Sequence, residues 1–147
     1  MGDFVLEKEI RMIALDLDGT TLNSASKLTE RTEKTLEKAH EQGVYVVVST
    51  GRSFNSLPAD VKSVKGIAYA ITSNGAHIND ISTGVSIYDD YLSATAVQAV
   101  AELAQTLGEG FAGIEVFIDG QAYISAAHYH DIEQNGCTFR NAEYVLW

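Results

Sequence analysis

The sequence predicts an α/β fold, with a doubly wound parallel sheet in the first half and an α+β unit in the second. Three observations lead there. Short apolar runs at residues 12–15, 44–49 and 68–72 each end in a polar turn that contains glycine. Segments with helix start and stop signals separate these runs, and such strand–helix alternation builds parallel sheets with right-handed crossovers. Further along, IEVFI and QAYIS flank Asp119-Gly120, a dipeptide suited to a two-residue type I′ hairpin. The second half is therefore antiparallel sheet with a helix.

The first strand is expected over residues 11–17. Its continuous apolar run, Met12 to Leu15, reads as a strand buried on both faces. Residues 23–27 form a polar, serine-containing loop, placed to act as a flap. Thr29 is positioned to cap a helix over residues 30–42, with Gly43 to end it. Leu28, Thr32, Leu36 and Ala39 give it a thin apolar stripe, and Glu30 and Lys34 an i,i+4 pair on its wet face. Residues 44–49 are a second strand rich in valine. Residues 53–65 hold a short helix whose regularity Pro58 limits. The third strand spans residues 68–72. Residues 76–88 alternate around Ser82-Thr83-Gly84 as a small antiparallel hairpin.

A boundary is expected near residues 89–92, giving units of residues 1–89 and 90–147. Ser93 can cap a helix that runs to Leu107, with a stripe of Val97, Val100, Ala101, Ala104 and Leu107. Gly108 would stop it. After the Asp119-Gly120 hairpin, residues 126–134 read as another helix and residues 143–146 as a last strand.

Composition narrows the function. The chain has 147 residues, 46% of them hydrophobic, which is the make-up of a folded domain and not of a disordered one. The net charge is -10 and the ten basic residues are scattered. Neither nucleic acid nor an anionic membrane is expected as a partner. The single cysteine, Cys137, excludes a disulfide framework and fits a reducing, cytoplasmic setting. The first residues lack the pattern of a signal peptide, and no stretch approaches the roughly 18 apolar residues of a membrane span.

Chemistry concentrates where the three parallel strands end. Asp16 and Asp18 leave the first strand two residues apart, which places both carboxylates on one side of an extended backbone. Gly19 then lets the chain turn sharply. Paired carboxylates can divide the labour of phosphoryl transfer, one as nucleophile and metal ligand, the other as proton shuttle. Ser49-Thr50-Gly51-Arg52 ends the second strand with a hydroxyl and a turn whose N–H groups can hold phosphate oxygens. Arg52 is placed either to reach substrate or to pair with an acid. Ser73-Asn74-Gly75-Ala76 ends the third strand with residues that accept positive φ. His128, His130, Asp131 and Glu133 have metal-ligand chemistry but fit an exposed segment better, and His40 and His77 carry no motif. Tyr123, Tyr129 and Tyr144 fit core or interface packing better than a substrate cleft.

The string DLDGTTL, residues 16–22, resembles the first signature of the haloacid dehalogenase-like phosphohydrolases, whose nucleophile is the first Asp of D-x-D-G-T. Thr50-Gly51-Arg52 resembles that superfamily's second motif in the form used by its Cof-type, sugar-phosphatase-like branch. Asn74 and Gly75 stand in an S-N-G-A that borders the substrate in the same branch. The motifs occur in the family's order over roughly residues 11–80.

The resemblance implies a Rossmann-like three-layer core, here incomplete, followed by the start of an inserted α+β cap. It implies Asp16 as nucleophile and Asp18 as general acid and base, with Gly19, Thr50, Gly51, Arg52, Asn74 and Gly75 around a small phosphorylated substrate. Mg²⁺ is implied as cofactor, bound by an Asp16 oxygen and the backbone carbonyl of Asp18. The family also uses a lysine and a G-D-x-x-N-D motif from chain beyond the cap. Neither occurs among these residues, so the resemblance implies a chain that stops within the cap. The first strand is then expected to be an exposed sheet edge. That edge implies self-association or a complementing polypeptide.

Overall fold

The computed structural model describes residues 9–107, 114–124, 129–130 and 144–146. Three parallel strands, β1 (Met12–Leu15), β2 (Tyr45–Ser49) and β3 (Ile67–Thr72), lie side by side in chain order. Leu15 pairs with Val48, and Val48 with Ala70. The helices α1 (Glu30–Glu41) and α2 (Ala59–Ser63) occupy the two crossovers. This is the mixed, parallel-rich α/β core that the sequence implies. Strand order does not reverse among the described residues, so the reversal that defines a doubly wound sheet is not seen.

Local chemistry accounts for each element. The Thr29 hydroxyl accepts from the Thr32 N–H at 3.2 Å and caps α1, and Gly43, at φ 81°, ends it with its N–H on the His40 carbonyl at 2.8 Å. Glu30 and Lys34 make the expected ion pair. Pro58 stands at the start of α2, where its missing N–H costs nothing. Val46, Val47 and Val48 are all buried, so β2 is covered on both faces. Val46 and Val48 form the core with Leu17, Leu36, Val61, Ile67 and Ala70. Asn23 Oδ1 accepts from the N–H groups of Ala25 and Lys27, which closes the loop of residues 23–27 on itself.

β1 departs from expectation. It is shorter than residues 11–17 and is not buried on both faces, since Met12 is 58% exposed and Ile13 and Leu15 only half-buried. Among the described strands it stands at the end of the sheet, with β2 as its neighbour.

The hairpin strands β4 (His77–Asp80) and β5 (Ser86–Asp89) extend the same sheet, with β4 antiparallel to β3. Asp80 closes their turn by accepting from the Ser82 and Thr83 N–H groups. The chain then leaves this sheet. Ser93 caps α3 (Ala94–Leu107) through the Ala96 N–H at 3.2 Å. A second sheet holds β6 (Glu115–Ile118), β7 (Gln121–Ile124) and β8 (Tyr144–Leu146). Asp119 and Gly120 have φ of 48° and 77°, as a type I′ turn needs. Since β8 runs parallel to β7, this sheet is mixed and not purely antiparallel. Tyr129 and His130 are helical. Gly108, Cys137 and the rest of the expected 126–134 helix, with His128, Asp131 and Glu133, lie outside the described residues. Among the described residues no helix is long and apolar enough to cross a membrane.

Candidate active site

The site grows from the way β1 ends. Exposure alternates through Asp16, Leu17 and Asp18: the two acids face solvent while Leu17 is fully buried between them. Leu17 anchors a wide turn, its carbonyl accepting the Leu22 N–H at 2.9 Å. Gly19 has φ 74°, a conformation open to glycine, and carries the chain back. Both threonines that follow serve Asp16. Thr20 Oγ1 donates to Asp16 Oδ2 at 2.8 Å, and Thr21 Oγ1 donates to the Asp16 carbonyl. The nucleophile candidate is thus held by side chains four and five residues on. The D-x-D pattern alone gives no hint of that role for the threonines.

The second turn meets the first through Arg52. Its guanidinium donates two parallel bonds to Asp18, Nε to Oδ2 at 2.8 Å and Nη2 to Oδ1 at 2.6 Å, and Nη1 donates to the Ser56 carbonyl at 3.3 Å. Of the two roles open to Arg52, the structure shows the pairing with an acid. These bonds hold the Asp18 carboxyl below the usual carboxylate range and raise Arg52 above its own. Thr50 is buried, and its Oγ1 accepts the Arg52 N–H at 3.2 Å. That leaves the hydroxyl hydrogen of Thr50 to donate elsewhere.

The third turn locks onto the second. The Asn74 N–H reaches the Thr50 carbonyl at 3.3 Å, and the Ser73 N–H the Arg52 carbonyl at 2.8 Å. Asn74, at φ 56°, and Gly75, at φ 99°, make the turn expected of them. Gly51 packs against Asn74: a Cβ there would stand 3.0 Å from Asn74 Oδ1. The three motifs therefore form one hydrogen-bonded cluster at the carboxyl ends of the parallel strands, where open α/β sheets bind ligands.

A cleft of about 740 Å³ opens over Asp18, Gly19, Gly51 and Arg52. Asp16, Thr50, Asn74 and Gly75 frame the cluster without lining this cleft. Its walls include Asn23, Ser24, Ser26, Ser53 and Ser56, and its far side is Glu115, Phe117 and Ala122 of the second sheet. Sequence reasoning missed those three. Glu115 and Phe117 alternate on β6, and Phe117 pairs with Ala122, but strand periodicity alone does not say which face looks at the first sheet.

The donor set at Asp16 and Asp18, one carboxylate and one main-chain carbonyl, is all oxygen and suits Mg²⁺, which binds few protein groups and keeps several waters. The Asp18 carboxylate itself is engaged by Arg52. Among the described residues no group of three His, Cys, Asp or Glu side chains gathers as a metal cage.

Comparison with known proteins agrees with this geometry. The profile of the haloacid dehalogenase-like hydrolases matches residues 13–145, and the chain belongs to that family. It is 39% identical over 72 residues to the 5-amino-6-(5-phospho-D-ribitylamino)uracil phosphatase YcsE of Bacillus subtilis strain 168, a match covering 49% of this chain and 29% of the relative. With the phosphatase YitU of the same organism, which carries the same description, it shares 30% over 129 residues, 86% of this chain and 45% of the relative. Solved structures give the same fold. A haloacid dehalogenase-like hydrolase from B. subtilis superposes with a TM-score of 0.71 at 23% identity, over 94% of this chain and 54% of that one. The sugar phosphatase BT4131, of subclass IIB, gives 0.69 at 18% over 92% and 52%. The chain thus spans about half, or less, of the length of these relatives.

Proposed function

We propose that the strand-end cluster and the cleft beside it together bind and hydrolyse small phosphate monoesters through an aspartyl-phosphate, with the phosphoryl group at Asp16 and Thr50 and the leaving group in the cleft. Residues 1–89 form the core of that site and residues 90–147 the beginning of a cap over it. The observation that carries this reading is the contact between motifs: Arg52 of the second turn grips Asp18 of the first, beside a Thr20-held Asp16.

In this reading Asp16 attacks phosphorus while Thr50 Oγ1 and the N–H groups of the Gly19 and Gly51 turns hold the phosphoryl oxygens. Asn74 and Gly75 border the substrate and fix Thr50. Asp18 gives its proton to the departing alkoxide. It then takes a proton from the water that cleaves the aspartyl-phosphate. A carboxyl clamped by a guanidinium does not carry a proton at neutral pH. The monoanionic form of the ester therefore brings the proton: Arg52 turns from Asp18 to the phosphoryl oxygens, Asp18 takes up the phosphoryl proton, and that is the proton it passes to the alkoxide. Mg²⁺ would sit on the Asp16 carboxylate and the Asp18 carbonyl, and when bound it supplies positive charge beside the phosphoryl group.

The lysine and G-D-x-x-N-D motif of the family do not occur in these residues. We therefore expect weak turnover from this chain alone and stronger turnover with a complementing polypeptide that carries them. A second reading is a module that binds phosphorylated ligands or a partner protein without turnover. Trapping separates the two. Incubation with p-nitrophenyl phosphate and Mg²⁺, then borohydride reduction, converts a phosphorylated Asp16 to homoserine in the hydrolase reading. Binding of inorganic phosphate by calorimetry with no modification at position 16 would support the module instead.

A further inference from the structure

We infer that Glu115 is a charge filter for the leaving group. The cleft admits phosphate esters of neutral polyols or amines, and it rejects esters that carry a second anionic group. This rests on the reading of the cleft as a phosphate monoester site.

The docking of the second sheet sets the geometry. The tip of the β6–β7 hairpin is pinned to the first unit, since the Asn55 N–H donates to the Gly120 carbonyl at 3.1 Å. A Cβ on Gly120 would stand 3.5 Å from Phe54 Cβ, so the turn lies against that side chain. Asn55 is three residues beyond Arg52, so the pin fixes β6 close to the guanidinium. One face of β6 then borders the cleft, through Glu115 and Phe117.

Volume and charge follow from this. A cleft of about 740 Å³ is in the range of sites for whole small molecules, so space remains for a leaving group between Arg52 and β6. Among the described residues its lining holds two carboxylates, Asp18 and Glu115, and one cation, Arg52, which Asp18 already engages. Once the phosphoryl group being transferred takes Arg52 and any bound Mg²⁺, none of these described residues offers a cation to a second phosphate or a carboxylate. Glu115 accepts hydrogen bonds and cannot donate them when ionised, so it favours hydroxyl or ammonium donors. Phe117 offers a ring face to the carbon skeleton. The serines and Asn23 add neutral hydrogen-bonding groups along the wall.

The test is calorimetric titration of the chain, in fixed excess Mg²⁺, with glucosamine 6-phosphate, glucose 6-phosphate and glucose 1,6-bisphosphate. The expected order of affinity is amine, neutral sugar, bisphosphate. Glu115→Gln should cut the preference for the amine about fivefold, the scale of one partly solvated ion pair. Glu115→Lys should reverse the order. Glu115 is exposed, so both variants should fold, and unchanged far-ultraviolet dichroism checks this. Monoesters that bind wild type with an order untouched by either variant would overturn the filter and leave the phosphate site standing. No binding of any ester would overturn both.

Discussion

Asp18 is where residue-scale chemistry is most exposed to test. Its folded pKa is depressed by Arg52, so the ion pair contributes stability above the ordinary carboxylate value, about 3.9. That contribution is lost as pH falls through the depressed value. The Asp18 side chain is 53% exposed, so solvent screening limits the contribution to about 1 kcal/mol or less. Carbon-13 NMR titration of Asp18 should show a midpoint below that of an ordinary carboxylate, and Arg52→Ala should return it upward. An unchanged midpoint would mean that Arg52 does not clamp Asp18 in solution. Leu17→Ala belongs to the same scale. It deletes a fully buried side chain between the two acids and should cost about 2–5 kcal/mol by denaturant unfolding. Asp16, Asp18, Thr50 and Arg52 are legible in the sequence because their spacing is local. Glu115 is not, because its place depends on a hairpin docking about sixty residues beyond Asn55.

Elements are legible where their end signals are covalently local. Thr29, Gly43, Pro58, Ser93 and Asp119-Gly120 each do what their chemistry requires, and the ends of α1 and the β6–β7 turn follow from them. Thr29→Ala should destabilise the fold by about 1 kcal/mol through loss of the α1 cap, read as a lower midpoint in urea at unchanged slope. An unchanged midpoint would mean that water replaces the cap without loss. The double cover expected of β1 is not found, because an apolar run reports what a strand can bury and not what is present to cover it. The same limit applies to α3, whose stripe residues Val97 and Val100 are 48% and 51% exposed. The pairing of β8 parallel to β7 is also beyond local signals, since register between distant strands is set by tertiary packing.

At the scale of the whole molecule, the described residues combine a well-knit cluster at three strand ends with a sheet in which β1 is the terminal strand. Ile10, Met12 and Tyr45 are each more than half exposed along β1 and its neighbour. An apolar edge of this kind favours pairing with another chain. We expect concentration-dependent association in light scattering, weakened by Met12→Lys; a monodisperse monomer across the accessible range would contradict that. The central claim is that Asp16 is the nucleophile of a metal-assisted phosphatase site. Its most direct test is release of p-nitrophenol from p-nitrophenyl phosphate, with and without Mg²⁺, by the wild-type chain beside Asp16→Asn. Weak, Mg²⁺-dependent turnover by the wild type is predicted, reduced by at least about 10³-fold in Asp16→Asn, down to the detection limit if the wild-type rate is low. Equal rates from the two proteins would contradict the claim.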